Sequence, residues 1–382
     1  MASIIDSIFN KLIQYDKQWC NLLGIKNPYI DNYKYQLSNK IPMFDGKAYK
    51  RYPNLNILYD KLWIAKSQNI DCGLLSELKN KNDNELPKFP FFIKPRDGHK
   101  NAGSKGCHVI ENKNQLMYYI DYPHAMWSEY ITEKEGMTDF VLCDGRIVYQ
   151  LTSVYSRGKN SISDEWKYIS SNNKPPLVIE SWLLSNIKNY NGIVNIQYRG
   201  NKIIEVGLRP ARGGIYLKET KNEKVLKNIN NIYDNEKWEE LDNEDTKFKP
   251  FYAFKTKSNA TPFLMLPYYF VVIILNYFNV TGFHEYYFEP LGSNAHMFYQ
   301  FIHEDFEQGM KCKNILETSN YLMHFIFFTL ILLIIYYRTF QNKWHNSLIL
   351  LLSVLTTMKM FNSINSQYGL WKIQKISMGI HT

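Results

Sequence analysis

The chain has few cysteines, and their arrangement excludes two structural roles that cysteine clusters usually serve. Its five cysteines are far apart, and no two of them form a Cys-x-x-Cys pair. An odd number at wide spacing predicts neither a disulfide framework nor a zinc site, and it favours a reducing compartment for the soluble part. The N-terminus also lacks the basic start and long apolar core of a signal peptide, so no secretory leader is expected.

The sequence also lacks a concentrated basic stripe and any internal repeat. Lysine and arginine outnumber the acidic residues by 45 to 36, giving a formal net charge of +9, but the lysines are scattered among acids. Binding to nucleic acid through net charge would therefore be non-specific, and no specific nucleic-acid partner is expected. Hydrophobic residues make up 45% of the chain, enough for a core, while a mean hydropathy of -0.36 argues against a wholly polytopic channel. A length of 382 residues suffices for two domains, or for one domain and a membrane part.

Long apolar runs occur mainly in the C-terminal third of the chain. Residues 262–280 are almost wholly apolar, about the length needed to cross a bilayer, with tyrosines near the ends of the run. Residues 321–337 form a second candidate span, and residues 346–360 form a shorter third one. The alternative, that these runs are buried helices of a soluble domain, stays open and is strongest for the third. We therefore expect a multi-pass region in the lipid bilayer over residues 261–382, preceded by a charged linker, residues 221–260.

The charges between the candidate spans indicate an orientation. The connecting residues 281–320 carry more acidic than basic residues, whereas Arg338 and Lys343 follow the second span. By the positive-inside rule, the connection after the second span faces the cytosol. The large N-terminal domain is therefore expected on the cytosolic side.

The first two-thirds of the chain is predicted to alternate short strands with helices. Residues 1–54 are predicted to contain an amphipathic helix over residues 3–24, followed by irregular chain over residues 25–54. Hairpin turns are indicated at Asp144-Gly145 and at Arg199-Gly200-Asn201, each between alternating apolar and polar residues. The other predicted elements are helices over residues 58–68, 112–120 and 178–189, strands over residues 90–94, 107–110 and 126–131, and a mobile loop over residues 157–176.

Residues 91–110 carry the pattern most indicative of chemistry. An apolar strand delivers Lys94 into a polar loop with glycines along residues 98–106. A cation next to bare glycine N–H groups is an arrangement that binds phosphate, although a lysine at a strand end is usually a solvated surface residue. The phosphate interpretation gains weight because Gln197 and Glu205 follow about a hundred residues later, on a predicted pair of strands. Oxygen ligands on paired strands can converge on Mg²⁺.

The order of these segments resembles the nucleotide-binding part of the ATP-grasp superfamily, over about residues 55–216. The segments that carry the resemblance are the basic helix 60–66, the strand Phe92-Ile-Lys-Pro95, the glycine-bearing loop 98–106, the hinge Ser128-Glu-Tyr-Ile131, and the strands Asn195-Ile-Gln197 and Glu205-Val-Gly-Leu-Arg209. The resemblance implies an α+β fold with two lobes and antiparallel sheets. It also implies that ATP and Mg²⁺ activate an unknown carboxylate as an acyl phosphate, which an amine or thiol then attacks.

The resemblance assigns roles residue by residue within a domain expected to span residues 55–220. Arg209 and Arg212 are the expected catalytic residues beside the transferred phosphoryl group. Gln197 and Glu205 are the expected metal ligands. The expected nucleotide-binding residues are Lys94, Gly103, Lys105, Gly106, Glu129, Tyr130, Ile131 and Glu135.

Two departures from the family pattern bear on activity. Gly207 stands where the second ligand strand usually carries an asparagine in Glu-x-Asn-x-Arg, and the glycine loop is longer and more polar. A second Mg²⁺ is then held more loosely, or a nearby group substitutes, or the site no longer turns over. The alternative to a ligase is therefore a membrane-anchored binding or structural protein on a degenerate ATP-grasp scaffold.

Overall fold

A computed structural model describes residues 33–100, 106–156, 165–258, 268–280, 282–290 and 296–319, together with Leu322 and Thr329. The chain divides into two compact units. The first spans Asn32–Tyr252, and the second contains the described residues from Ala253 onward. The candidate site residues all lie in the first unit.

The first unit is built from short helices and antiparallel strands. Its helices are α1 (Asp45–Arg51), α2 (Lys61–Lys66), α3 (Lys113–Tyr119), α4 (Leu177–Asn186), α5 (Ile215–Glu219) and α6 (Glu223–Asn235). Its strands are β1 (Cys72–Leu74), β2 (Phe91–Pro95), β3 (His108–Ile110), β4 (Ala125–Glu129), β5 (Glu135–Cys143), β6 (Arg146–Tyr155), β7 (Trp166–Ile169), β8 (Gly192–Arg199) and β9 (Lys202–Gly207). Short 3₁₀ segments cover Pro53–Tyr59, Leu75–Leu78, Asp83–Glu85, Ala211–Gly214 and Glu244–Thr246.

These strands form two antiparallel sheets. The smaller sheet has the order β1-β4-β2-β3, and in the larger sheet the strands of this unit follow the order β7-β6-β5-β8-β9. The hairpins β5–β6 and β8–β9 confirm the two predicted turns. The first turn forms because Asp144 and Gly145 both adopt positive φ, 51° and 70°, which matches the twist of the flanking strands. The prediction of an α+β fold with antiparallel sheets is therefore confirmed.

The larger sheet has one apolar and one polar face, as strand alternation dictates. Phe140, Val194 and Val206 project to the apolar face and pack in one cluster with Ile179 and Leu183 of α4. The cross-strand pairs Asp139–Asn195 and Gln197–Glu205 alternate with these residues and therefore lie on the opposite face. Burying one face leaves the other free to carry the polar chemistry.

Helix α2 lies against both sheets. Leu62 and Ala65 pack with Met126 of β4 and Ile131, and Ile204 of β9 packs against the same cluster. A separate cluster joins α3 to the smaller sheet. Helix α3 begins where the sequence predicts, because the Asn112 side chain accepts a hydrogen bond from the Gln115 N–H at 3.0 Å.

Two segments differ from the sequence prediction. Residues 25–54 were expected to be irregular, but α1 forms there, with Ala48 buried. The predicted mobile loop over residues 157–176 contains β7, which pairs with the end of β6. Helix α1 is short and polar, and β7 is only four residues long, so neither carries enough apolar periodicity to be recognised from the sequence.

The second unit contains strands β10 (Phe251–Ser258), β11 (Gly282–Pro290) and β12 (His296–His303) in the order β11-β12-β10, with helix α7 (Tyr268–Tyr277) and helical residues 306–319. Residues 281–320 were expected to be a loop between spans, but β11 and β12 form an antiparallel pair there.

The predicted membrane spans fall largely outside the described residues. This applies to residues 262–267, to residues 321–337 apart from two positions, and to all of residues 346–360. Within the part of the chain that the structure describes, no helix combines the length and the apolar character needed to cross a membrane.

Candidate functional site

Lys94 lies at the end of β2 and reaches from the smaller sheet to the larger one. Its side chain is buried, and its Nζ donates to the carbonyl oxygen of Ile204 in β9 at 3.3 Å. Burial, and then the nearby charge of Lys61, lower the pKa of Lys94 to about 8. The site therefore holds a cation whose burial is costly, and an anionic ligand would reduce that cost.

Lys61 supplies a second buried cation at the start of α2. Its Nζ lies 3.0 Å from Oε2 of Glu205, the carboxylate that projects from β9. Burial alone would lower the pKa of Lys61, but the Glu205 charge more than offsets it and raises that pKa. The pKa of Glu205 is lowered because Lys61 offsets the burial of the carboxylate. Both groups are therefore charged at neutral pH.

Hydrogen bonds among residues 59–62 and 96–98 hold the N-terminus of α2 beside the C-terminal end of β2. Asp60 caps α2 by accepting from the Leu62 N–H at 3.0 Å, and it also binds Arg96 through two hydrogen bonds of 2.9 and 2.5 Å. The Gly98 N–H donates to the Tyr59 carbonyl at 2.8 Å. A Cβ at Gly98 would come within 3.2 Å of that carbonyl oxygen, so the glycine permits this close approach. Because Lys61 begins α2 and Lys94 lies near the end of β2, these hydrogen bonds keep the two lysines close to each other.

Gln197 lies directly across from Glu205 in the register of β8 and β9. Side chains in such pairs start about 5 Å apart on the same face. The Gln197 Nε2 donates to Oε1 of Glu135 at 2.7 Å, and Glu135 also accepts from Arg199 Nε at 3.0 Å. The two predicted metal ligands thus lie side by side, with the Gln197 amide oriented by Glu135.

Arg209, a predicted catalytic residue, follows β9 and is bound by a residue that the sequence analysis missed. Its Nε donates to Oδ1 of Asp45 at 3.0 Å, and its second guanidinium nitrogen donates to Oδ2 at 2.8 Å. Burial would lower the pKa of Arg209, but Asp45 and then Glu205 raise it. Arg209 is therefore a fixed cation on the same edge as Glu205.

The turn that carries Arg212 is fixed by a carboxylate on β5. Asp139 is buried, and both of its carboxylate oxygens accept from the Ala211 N–H at 3.0 Å. Asn195 donates to the same carboxylate at 2.7 Å. Burial, partly offset by these hydrogen bonds, raises the pKa of Asp139 to about 6. Arg212 itself has φ 48° and ψ 43°, in the left-handed region.

The predicted hinge residues lie where β4 leads into β5. Glu129 pairs with Lys202 at 2.7 Å, and the carbonyl of the buried Ile131 accepts from Arg199 Nη1 at 3.0 Å. Tyr130 lies between them and is partly buried. The three residues therefore lie where the chain passes from the smaller sheet to the larger one, and their contact with adenine remains a prediction.

The predicted glycine-loop residues are only partly described. Gly106 has φ 69°, in the left-handed region. Gly103 and Lys105 lie outside the described residues. The predictions that these groups contact phosphate remain predictions.

The structure thus brings Lys94, Gln197 and Glu205 together, and adds Lys61 and Asp45 to them. Lys61 stands in the basic helix noted in the sequence, whereas no sequence signal marks Asp45. Among the described residues, no three His, Cys, Asp or Glu side chains gather as a metal cluster. Two lysines, an arginine and few oxygen ligands suit a triphosphate with Mg²⁺, an ion that keeps several waters and phosphate oxygens as ligands.

Comparison with known proteins identifies the fold. No family model matches the sequence, and no curated protein matches it significantly. Carboxyaminoimidazole ribonucleotide synthase from Aspergillus clavatus, a structure complexed with ATP, is similar in structure with a TM-score of 0.50 at 8% identity, over 70% of this chain and 73% of that one. The chain has an ATP-grasp fold. The fold that the sequence resemblance implied is therefore confirmed.

Two further solved structures resemble the chain. An L-amino acid ligase from Bacillus licheniformis has a TM-score of 0.49 at 13% identity, covering 71% of this chain and 76% of that one. N5-carboxyaminoimidazole ribonucleotide synthetase from Thermus thermophilus has a TM-score of 0.46 at 10% identity, covering 71% of this chain and 79% of that one.

Proposed function

We propose that the chain is an ATP- and Mg²⁺-dependent ligase that joins a carboxylate to an amine or thiol. The observation that carries this proposal is the position of two buried lysines beside Glu205: Lys61 pairs with its carboxylate, and Lys94 donates to the neighbouring Ile204 carbonyl. A buried cation is costly unless it is paired, and Lys94 makes its hydrogen bond to a neutral carbonyl rather than to a carboxylate. A triphosphate would supply the anionic charge that this group lacks.

The proposed roles follow from the charges and positions of the side chains. Lys61 and Lys94 bind phosphate oxygens, and Arg209 stabilises the charge on the phosphoryl group in transfer. Glu205 and Gln197 provide oxygens for Mg²⁺. The bound ion would neutralise phosphate charge and help to orient the terminal phosphate.

The proposed reaction has two steps that balance without an added oxidant or reductant. A substrate carboxylate oxygen attacks the terminal phosphorus of ATP, and ADP leaves with the electrons of the broken P–O bond. An amine or thiol then attacks the carbonyl carbon of the acyl phosphate, which expels phosphate and releases a proton. Arg209 and Arg212 flank the expected position of the acyl phosphate. The neighbour from Aspergillus clavatus was solved with ATP, which supports the choice of nucleotide.

A binding protein that no longer turns over is the alternative, and Gly207 is the observation that favours it. The glycine removes a potential oxygen ligand from the strand that carries Glu205. Such a protein would bind nucleotide without consuming it.

Thermal unfolding of the full chain tests the proposal. At about 100 times its dissociation constant, Mg-ATP should raise the free energy of unfolding by about 2.7 kcal/mol by mass action. Mg-GTP provides the control for base recognition by the hinge. If ADP forms slowly and a carboxylate and an amine together accelerate its formation, the ligase is supported. If the nucleotide binds and no ADP forms, the alternative is supported. No stabilisation by any nucleotide would overturn both.

We further propose that the C-terminal apolar runs anchor the chain in a membrane, with the first unit in the cytosol. The support is the length and composition of residues 262–280 and 321–337. Alkaline carbonate extraction of expressing cells should leave the full chain in the membrane pellet. Truncation after residue 258 provides the matched comparison. Release of the full chain into the supernatant would contradict the anchor.

A further inference from the structure

Gly207 is not required by its backbone conformation. Its φ is not among the positive values found at six other glycines of the described chain. A side chain at position 207 is instead limited by the space available, because a Cβ there would lie 2.7 Å from Oδ1 of Asp45. Real Cβ atoms do not approach oxygen so closely. The carboxylate of Asp45 therefore takes the volume that a side chain at position 207 would occupy.

Asp45 reaches this volume from a distant part of the chain. It is the first residue of α1, and it is 164 residues away from Arg209, which binds it through two hydrogen bonds. Position 207 lies two residues beyond Glu205 in β9, so the two positions share a face roughly 7 Å apart. Asp45 and Glu205 thus present two carboxylates along one edge.

Asp45 retains the capacity to bind a cation while it binds Arg209. An ionised carboxylate offers about four lone-pair sites, and the two hydrogen bonds from Arg209 use two of them. The Asp45 side chain is 21% exposed and that of Glu205 is 32% exposed, so both reach solvent at the edge of the site. A hard divalent cation prefers such oxygens.

We propose that Asp45 supplies a metal-binding oxygen beside Glu205, in the space left by the missing side chain at position 207. This inference rests on the proposed nucleotide function. The ligand comes from α1 rather than from the strand, which explains why the strand carries glycine. A larger residue at position 207 would displace the carboxylate that has taken its place.

The test measures metal and nucleotide affinity separately in the full chain. Calorimetry gives the affinity for a non-hydrolysable ATP analogue in EDTA, and electron paramagnetic resonance of free Mn²⁺ gives the metal affinity with the analogue bound. In Asp45→Asn we expect the Mn²⁺ affinity to fall about tenfold or more. The metal-free affinity for the analogue should not fall, because the neutral amide removes a negative charge near the phosphates.

Two further variants complete the design. Asp45→Ala combined with Gly207→Asn should regain part of the Mn²⁺ affinity, because the new amide oxygen enters the same volume. Asp83→Asn, in an exposed pair with Lys113, is the matched control and should change neither affinity. Circular dichroism confirms that each variant is folded.

The outcomes separate this inference from the proposed function. Unchanged Mn²⁺ affinity in Asp45→Asn, or an equal loss of metal-free affinity, would overturn the metal role and leave Asp45 only as the partner that positions Arg209. Failure of the wild-type chain to bind the analogue under either condition would overturn the nucleotide proposal itself, and the metal role with it.

Discussion

Replacing Lys94 with methionine is expected to stabilise the free protein and to abolish its stabilisation by Mg-ATP. Lys94 is buried, and its pKa is lowered from 10.5 to about 8, so its charge costs the folded state about 3 kcal/mol at pH 7. Methionine has a similar length and no charge, so Lys94→Met removes this cost. It also removes a cation that the triphosphate would contact. Chemical denaturation with and without Mg-ATP measures both effects.

The pH dependence provides an internal check on this prediction. Below about pH 8 Lys94 is protonated in both the folded and the unfolded chain, so its destabilising effect is fully present. As the pH rises from 8 towards 10, the folded chain releases the proton first and the cost declines. The stability advantage of Lys94→Met over wild type should therefore shrink across this range.

The control for Lys94 is an exposed lysine, which carries the same ammonium group without the cost of burial. Lys113 is 54% exposed and pairs with Asp83 on the surface. Lys113→Met should change stability by less than about 1 kcal/mol and leave the response to Mg-ATP intact. A Lys94→Met variant that is stabilised by Mg-ATP as strongly as wild type would refute the phosphate role of this lysine.

Replacing Glu205 with alanine is expected to destabilise the protein more than any other single change at the site. The substitution leaves Lys61 buried without the carboxylate that lies 3.0 Å from it, and Lys94 is close by. Removing one partner of a buried ion pair typically costs about 3 kcal/mol or more. Urea unfolding of the full chain measures the loss.

A second substitution separates the charge effect from the loss of packing. Glu205→Ala combined with Lys61→Met removes both members of the pair and should recover most of the stability. Asp83→Ala, which removes the acidic member of an exposed pair, should cost less than about 1 kcal/mol. If Glu205→Ala costs no more than Asp83→Ala, Lys61 is not held by Glu205 and the description of the site is wrong.

The sequence predicted the local parts of the fold well because local chemistry determines them. The turn at Asp144-Gly145 and the helix cap at Asn112 depend on residues that are adjacent along the chain. The predicted hairpin placed Gln197 and Glu205 on neighbouring strands, but their direct pairing also requires a shift in register between Gln197 and Tyr198, which the sequence does not reveal.

The parts that escaped prediction depend on contacts between distant segments. Asp45 lies in a segment with no apolar periodicity, and only the folded chain places its carboxylate against Gly207 and Arg209. Asp139 looks like an ordinary polar strand residue, yet it fixes the turn that carries Arg212 through the Ala211 N–H. Neither contact leaves a pattern along the sequence.

The departure at Gly207 has a structural counterpart that the sequence does not reveal. The sequence has no side chain at position 207 to bind a metal, and this absence suggested that the protein is a degenerate ATP-grasp scaffold. The structure fills the same volume with Asp45, 2.7 Å from where a Cβ would stand. If Asp45 binds the metal as proposed above, the site keeps its oxygen ligands although the position that supplies one of them has changed.

The central claim is that Lys61 and Lys94 bind a nucleotide triphosphate between the two sheets. A crystal structure of the full chain with Mg²⁺ and a non-hydrolysable ATP analogue tests it most directly. The account predicts triphosphate oxygens about 3 Å from the Nζ atoms of both lysines, with Lys94 turned away from the Ile204 carbonyl. A nucleotide bound elsewhere, with Lys94 still donating to that carbonyl, would contradict it.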